Sequence, residues 1–401
     1  MRGLIRKQRV LLLSRKNADR GVRALDVLFL STHAGRGGTV NYIKALRRRF
    51  ERSGYVCASA ALYSGFDPDV SGVEEILVLR EDLPALAYIA TVARLLVDVR
   101  RRRPAVIVTV MPMANVVAAL AGWLSGAAVV VTHHSPHDKN GRVVGLLDKL
   151  VGTLGGYTEI VCVSQAVSES FARHPAAYRE RLSVIPNGVP PMRVHSARSE
   201  TLARLGLPDD GPVVYMAGRL APQKNVLKAV EAVAKVEGAR LVLSGDGPLR
   251  SEIVTLAQRL GISHRLHLLG LIDRQDMIDL MACCDAFLQV SLYEGQSMSL
   301  LEAIHVGAPP VVSDIPVQLE VIRMADGTEA GITCDPTDVE DIARAVRTVL
   351  FDAGARAAVL SSVARLAPQI RTEEQMLSDY QRVLRQIVSP QRAEAEPEHA
   401  S

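Results

Sequence analysis

Two carboxylates stand at the start of one segment, and their spacing suits the binding of hydroxyl groups. Glu294 lies in a loop after an apolar stretch, and Glu302 lies about two turns into the helix that we predict over 297–305. Gly295 allows a ligand to approach the backbone closely, and the N-terminus of the following helix favours an anionic group. Carboxylates accept hydrogen bonds from hydroxyl groups such as those of a sugar. The alternative for Glu302 is a capping box with Ser299, which has the S-x-x-E spacing.

Two cations, Arg219 and Lys224, follow the strand that we predict over 213–217. Cations placed after a strand can neutralise an anionic leaving group such as a diphosphate. Taken alone, they are more typical of a solvated surface loop. A metal ion would serve the same purpose, but the nearest D-x-D sequence, Asp67 and Asp69, lies in an early loop that we interpret as a turn. We therefore expect no metal site and no cofactor.

A glycine-rich loop and a pair of histidines complete the candidate residues in the first half of the chain. The loop 35–38 precedes the helix predicted over 39–52, so its amides can face a phosphate or an acceptor. It lacks the G-x-G-x-x-G pattern, which argues against a dinucleotide dehydrogenase. His133 and His134 follow the strand that we predict over 127–131.

Several blocks of the sequence, in the same order, resemble the retaining glycosyltransferases of family 4, which have the GT-B fold. The run from Glu294 to Glu302 is similar to the E-x7-E motif of this family. The block that starts at Gly218 is similar to its G-R-L-x-x-x-K-G motif, with Asn225 in place of the usual second glycine. Further similar blocks are the glycine loop at Gly37-Gly38, Val163-Ser164, the hinge Ile185-Pro-Asn-Gly-Val189, and the turn Gly245-Asp-Gly-Pro248. The resemblance extends from residue 25 to about residue 388.

The resemblance implies a role for each matched residue. It assigns catalysis to His134, Arg219, Lys224 and Glu294. It assigns donor binding to Gly37, Gly38, His133, Gly218, Gly245, Gly247, Gly295, Gln296, Ser297 and Glu302. The T-x-H spacing from Thr132 favours His134 over His133 as the histidine beside the donor sugar, the alternative being a loop histidine with a structural role.

The reaction implied by the resemblance is a metal-independent transfer that retains the anomeric configuration. The leaving phosphate can take the proton of the acceptor, so no strong base is needed below the sugar. The donor would be a UDP-, GDP- or ADP-linked sugar, and the acceptor a saccharide or a lipid-linked saccharide of cell-surface polysaccharide or glycolipid synthesis. Two alternatives stay open: a sugar-nucleotide epimerase on the same fold, and a binding subunit without catalysis.

The elements that must position these residues alternate between strand and helix, which predicts α/β layers with parallel sheets. Together with the resemblance, this pattern predicts two Rossmann-like domains facing across a cleft, with the last helix crossing back to the first domain. The predicted parts are a basic extension over 1–24, a first domain over 25–190 with about 373–388, a linker over 191–210, a donor-binding domain over 211–370 and a disordered tail over 389–401.

An uncharged run over 104–132 has the length of a membrane span. Pro112 interrupts a β-rich stretch, and a helix-forming stretch and a second apolar strand follow. We therefore predict a buried strand, helix and strand instead of a span.

The charge is unevenly distributed along the 401 residues. The net charge is +4, with 26 Lys and Arg against 15 Asp and Glu in residues 1–190, and 21 against 28 in the remainder. The predicted helix over 39–52 carries Lys44, Arg47, Arg48, Arg49 and Arg52, and Arg100–Arg103 form a second basic cluster. These cations suit an anionic membrane surface, and a solvated face is the alternative. The 4% aromatic content and the lack of aromatics interleaved with the cations argue against nucleic acid, and we expect no nucleic-acid partner.

The five cysteines show no zinc spacing, and their odd number does not favour a disulfide framework. We expect reduced thiols in a cytoplasmic protein, located peripherally on the inner face of the cell membrane if the acceptor is lipid-linked.

Overall fold

The computed structural model describes residues 25–33, 38–63, 75–76 and 85–395. The first half builds a parallel sheet of seven strands in the order β3-β2-β1-β4-β5-β6-β7. All residues of the central strand Val106–Val110 are buried, as expected for a parallel sheet that is covered on both faces. The strands are β1 (Val27–His33), β2 (Cys57–Tyr63), β3 (Glu75–Ile76), β4 (Val106–Val110), β5 (Ala128–His133), β6 (Glu159–Cys162) and β7 (Leu182–Val184).

The helices of this half cover both faces of the sheet, and two apolar clusters form its core. The helices are α1 (Gly38–Arg52), α2 (Ala85–Arg102), α3 (Pro112–Ser125), α4 (Arg142–Thr153), α5 (Gln165–Ser170) and α6 (Ala176–Arg179). Pro112 is the first residue of α3, where the missing N–H costs nothing. The uncharged run is therefore a strand, a helix and a strand, as predicted. Among the described residues, no helix is both long and apolar enough to cross a membrane.

The second half repeats the plan with six parallel strands in the order β10-β9-β8-β11-β12-β13 and a core on each face. The strands are β8 (Val213–Ala217), β9 (Arg240–Ser244), β10 (Leu266–Gly270), β11 (Ala286–Gln289), β12 (Pro310–Ser313) and β13 (Ile332–Cys334). The helices are α7 (Arg198–Arg204), α8 (Val226–Ala234), α9 (Arg250–Arg259), α10 (Arg274–Cys283), α11 (Met298–His305), α12 (Pro316–Ile322), α13 (Val339–Phe351) and α14 (Ala353–Leu366).

The region predicted as a linker, 191–210, is folded onto the second half. Leu202 of α7 is fully buried in its core. The Arg198 guanidinium holds this helix in place, because it bonds Asp285 and the Cys283 carbonyl oxygen. The segment is therefore part of the second domain and not a free connection.

The last helix, α15 (Glu373–Ala395), crosses back to the first half, as the resemblance implied. Tyr380 and Leu384 pack against Phe50 and other apolar residues of α1 and β1. The crossing begins where Val189 and Thr372 pair as a short parallel bridge. The predicted disordered tail is wrong for 389–395, which continue this helix, and 396–401 lie outside the described residues.

Some of the basic side chains of α1 are paired with other groups of the protein. Arg49 pairs with Glu374 at the acidic start of α15, at 2.8 Å. Arg47 pairs with Glu51 and also donates to the Ser59 hydroxyl. Arg48 and Arg52 are exposed, and Lys44 is half-buried. Part of the predicted membrane-facing charge of this helix is thus compensated by neighbouring groups.

Candidate active site

The loop after β11 meets the first half at the facing ends of the two sheets. A Cβ atom at Gly295 would overlap the His134 carbonyl oxygen, so only glycine fits there. The Ser164 hydroxyl donates to the Gly295 carbonyl oxygen at 2.8 Å. The backbone amide of Asn187 donates to Gln296 Oε1 at 2.6 Å, and the side-chain amide of Asn187 donates to the Gln296 carbonyl oxygen. The fold therefore brings His134, the Val163-Ser164 turn and the hinge against the E-x7-E segment.

Lys224 and Glu294, 70 residues apart, form a close ion pair at this edge. Lys224 Nζ lies 2.6 Å from Glu294 Oε1, and both side chains are largely buried. Gln289, at the end of β11, also donates to the Glu294 carboxylate and to the Ser297 hydroxyl. The pair places a cation and a carboxylate together where strands β8 and β11 end.

Arg219 is exposed, five residues before Lys224 in the loop after β8. In the part of the chain that the structure describes, no side chain forms an ion pair or hydrogen bond with its guanidinium. It follows Gly218, which has φ +144°, directly after β8. An exposed cation at this position is available to an anionic ligand.

Asn225 stands where this block usually has a second glycine, and its backbone conformation shows how the substitution is accommodated. Its φ of 56° and ψ of 34° lie in the left-handed region, which asparagine tolerates better than most side chains. Its side-chain amide donates to the Pro336 carbonyl oxygen at 2.7 Å. The backbone thus keeps the conformation that a glycine would supply, and Lys224 keeps its place in the preceding 3₁₀ turn.

The loops after β8 and β9 lie backbone against backbone. The Gly218 amide donates to the Ser244 carbonyl oxygen at 2.9 Å, and the Leu220 amide donates to that of Asp246 at 3.0 Å. A Cβ atom at Gly245, where φ is +125°, would overlap the Gly218 carbonyl oxygen. At Gly247 it would overlap the carbonyl oxygen of Leu220. These glycines therefore set the shape of the edge that carries Arg219 and Lys224.

Glu302 is buried in α11 and pairs with Arg274, at 2.7 Å from its Nη2 atom. Burial raises the pKa of the Glu302 carboxyl, and the Arg274 guanidinium opposes this shift. The helix begins at Met298 with Ser297 as its N-cap, so the capping box with Ser299 does not form. Sequence reasoning missed Arg274, because nothing in its local pattern points to a partner 28 residues away.

The two histidines have different surroundings. His133 is the last residue of β5, not part of a following loop, and its buried Nε2 atom lies 3.0 Å from the Tyr178 hydroxyl. Tyr178 in turn donates to the buried carboxylate of Asp148 at 2.8 Å. The ring of His134 lies 3.1 Å from the Thr132 hydroxyl and packs edge-on against Tyr42. Of the two residues, His134 lies at the junction of the two halves.

Burial controls the protonation of both histidines. It lowers the pKa of His133, and it lowers the pKa of His134 to about 4, with the neighbouring His133 adding to the shift. His134 is therefore neutral near pH 7.

The remaining sequence expectations concern the glycine loop and the metal. Gly37 lies outside the described residues, as do Asp67 and Asp69, and Gly38 is the first residue of α1. In the described ranges, no group of three His, Cys, Asp or Glu side chains is placed to hold a metal ion.

We expect the first half to become less stable as the pH falls from the pKa that these histidines have in the unfolded chain to the pKa that they have in the folded protein. The pKa of His134 is about 4 in the folded protein and 6.5 in the unfolded chain, so the unfolded chain binds more protons between these two pH values. The free energy of unfolding should thus fall by on the order of 3 kcal/mol for His134 as the pH drops. Urea unfolding, followed by the emission of Trp123 in the same half, measures this loss.

The control for this measurement is His264→Gln, at an exposed position in the second half. His134→Gln should give a shallower pH dependence, while His264→Gln should match the wild type. An unchanged slope in His134→Gln would contradict the neutral state of this partly buried ring.

Two family patterns match the chain. The pattern of Glycosyltransferase Family 4 matches residues 36–193, and that of Glycosyl transferases group 1 matches residues 197–365. Among curated relatives, the 2-deoxystreptamine glucosyltransferase of Streptomyces kanamyceticus is 26% identical over 66% of this chain and 73% of its own length. The lipopolysaccharide core biosynthesis glycosyltransferase LpsE of Rhizobium meliloti is 32% identical over 48% of this chain and 54% of its own. An uncharacterised glycosyltransferase of Methanocaldococcus jannaschii is 27% identical over 51% of this chain and 54% of its own length. The match to this chain thus spans about half the length of each of the last two relatives.

Solved structures share the fold over nearly the whole chain. Anabaena HepE, in complex with UDP and glucose, superposes with a TM-score of 0.74 at 18% identity, over 90% of this chain and 100% of HepE. Sucrose-phosphate synthase from Thermosynechococcus elongatus also gives 0.74, at 18% identity, over 91% of this chain and 100% of its own. The two family patterns cover both halves, and the paired sheets have the expected architecture. The chain therefore belongs to the family 4 glycosyltransferases, with the GT-B fold.

Proposed function

We propose that the protein is a retaining glycosyltransferase that uses a nucleotide-activated sugar and no metal ion. The observation that carries this proposal is the close pair of Lys224 and Glu294, with Arg219 exposed in the same loop as Lys224 and His134 across the junction. The cations suit a diphosphate, and the carboxylate suits sugar hydroxyls.

In the proposed reaction, the acceptor oxygen bonds to the anomeric carbon while the bond from that carbon to the diphosphate breaks. The acceptor proton passes to the leaving phosphate oxygen. Lys224 and Arg219 stabilise the negative charge that develops there, which is the largest contribution in reactions of this kind. His134 is neutral and its ring is engaged by Thr132, so we assign it to positioning, with its backbone carbonyl directed at the junction.

The donor and acceptor classes draw support from similar proteins. Solved structures with the same fold hold UDP and UDP-glucose, which favours a UDP-sugar as the first donor to test among UDP-, GDP- and ADP-sugars. Similar proteins include LpsE and a galactosyltransferase of Escherichia coli that is named for a diphosphoundecaprenol-linked acceptor. We therefore propose a saccharide or lipid-linked acceptor in cell-surface polysaccharide or glycolipid synthesis, used at the inner face of the cell membrane.

Release of nucleotide from a panel of sugar nucleotides, with and without acceptor saccharides, tests the proposal. Acceptor-dependent release with transfer of the sugar supports a transferase. Release of free nucleotide without an acceptor product would favour the epimerase. Binding without turnover would favour an inactive binding subunit.

We expect the activity to survive chelation of metal ions. Lys224 and Arg219 take the role that a divalent cation has in other transferases, so EDTA should leave the transfer rate within about twofold of the untreated enzyme. The measurement is nucleotide release before and after EDTA, with Mg²⁺ and Mn²⁺ added back. Complete loss that either ion restores would refute the metal-free assignment.

A further inference from the structure

An apolar surface lies on the outside of the first half, on α3 and α4, which pack against each other. Its large side chains are each between 48% and 72% exposed. About half or more of each of these residues is thus accessible to solvent, although apolar residues of this size usually fill cores. We call this surface the α3–α4 face, and its residues are Trp123, Leu124, Val143, Leu146, Leu150 and Leu154.

The orientation of α4 is fixed by its opposite side. Asp148 is only 1% exposed and accepts hydrogen bonds from the hydroxyls of Tyr157 and Tyr178, each at 2.8 Å. Gly152 faces the same two rings, and a Cβ atom there would collide with Tyr178. Rotation of the helix would bury leucines only by exposing this carboxylate and its partners. The leucine stripe therefore faces solvent as a consequence of specific packing.

Cations border the α3–α4 face at two places. Arg142 is exposed and directly precedes Val143. Arg100 donates to the Leu124 carbonyl oxygen at 3.1 Å, and Arg101 beside it is exposed. No residue of α3 is charged, and Asp148, the one acidic residue of α4, is buried. An apolar surface bordered by cations is complementary to an anionic lipid leaflet, whose headgroups attract the cations while the apolar side chains enter the acyl boundary.

We propose that the α3–α4 face docks the enzyme onto an anionic lipid leaflet. Tryptophan is well suited to this boundary, because its ring is amphipathic. A second copy of the chain is a poorer occupant, since a two-fold symmetric contact buries the same patch on both copies, and α3 and α4 carry no exposed acidic residue to pair with Arg100, Arg101 and Arg142. The proposal builds on the proposed function by naming the surface that presents the site to a lipid-linked acceptor.

Docking through this face also places the candidate site near the lipid. Helix α4 begins at Arg142, shortly after His134 and the turn 137–139, so its basic end lies at the carboxyl edge of the sheet. In that turn, Lys139 Nζ lies 5.6 Å from the centre of the Tyr293 ring, next to Glu294. Docking through the α3–α4 face would thus bring the sheet edge that we propose for donor binding toward the lipid headgroups.

The sole tryptophan of the chain, Trp123, reports on the docking directly. We expect its emission to shift to the blue with vesicles of phosphatidylcholine and phosphatidylglycerol, and to be quenched when the lipids carry brominated acyl chains. Leu146→Gln with Leu150→Gln should lower the partition constant at least about tenfold. The matched control, Leu260→Gln with Phe351→Gln, removes two exposed apolar side chains of the second half and should bind like the wild type.

Charge variants separate this face from the basic helix α1. Arg101→Gln with Arg142→Gln should remove the preference for anionic over neutral vesicles, while Arg48→Gln with Arg52→Gln on α1 should keep it. Absence of quenching by brominated lipids, or loss of binding only in the α1 variant, would overturn the proposal. So would a blue shift that needs no lipid and rises with protein concentration, because it would indicate a second copy. Nucleotide release is measured separately, so failure to dock and failure of the proposed activity are distinguishable.

Discussion

Lys224→Ala is expected to lower the rate of sugar transfer by about 10²–10³-fold, because a preorganised charge at the leaving diphosphate is lost. Lys224 lies 2.6 Å from Glu294 in a largely buried pair, so its position is set before any donor binds. Arg219→Ala should cause a similar loss. Steady-state nucleotide release with saturating acceptor measures the effect, and Lys235→Ala, at an exposed surface pair with Glu340, should leave the rate unchanged.

Stability must be separated from catalysis in this variant. Removal of Lys224 leaves the buried Glu294 carboxylate without its ion-pair partner, which destabilises the protein. The double variant Lys224→Ala with Glu294→Ala should recover part of the melting temperature and none of the activity. A transfer rate near that of the wild type in Lys224→Ala would refute the role of this lysine.

Gly295→Ala is expected to lower kcat/KM by at least about 10²-fold, since a misplacement of about 1 Å at a reacting centre costs this much. The new Cβ atom would overlap the His134 carbonyl oxygen, so the loop with Glu294 must move away from the first half. The hydrogen bond from Ser164 to the Gly295 carbonyl oxygen would be strained at the same time. The change affects the junction of the two halves, and each sheet should remain folded.

Gly141→Ala is the matched control for this variant. Gly141 precedes α4, no atom lies within 4 Å of a Cβ placed there, and its φ is negative, so a methyl group fits. Circular dichroism should show the secondary structure of both variants intact. Wild-type kinetics in Gly295→Ala would mean that the E-x7-E loop does not rest against His134 in the working enzyme.

The sequence predicted the fold well because its signals are local. Strands β8 and β9 lie at the predicted residues 213–217 and 240–244, since each is a short apolar stretch bounded by glycine, proline or charged residues. The crossing of the last helix came from the family resemblance, not from local pattern. The motifs also identified Lys224 and Glu294, but their direct pairing depends on two strands that are neighbours in the sheet and distant in the chain.

Tertiary structure alone decided which side chains are buried and which partners they have. The spacing of leucines on α4 is typical of a core-facing stripe, yet the helix turns Asp148 and Gly152 inward. Tyr157 and Tyr178 supply the hydrogen bonds that make the inward carboxylate stable, and both come from later segments. The same holds for His133, which joins this network while its neighbour His134 lies at the junction. Periodicity shows that a helix has two faces, but the partners that other elements bring determine which face is buried.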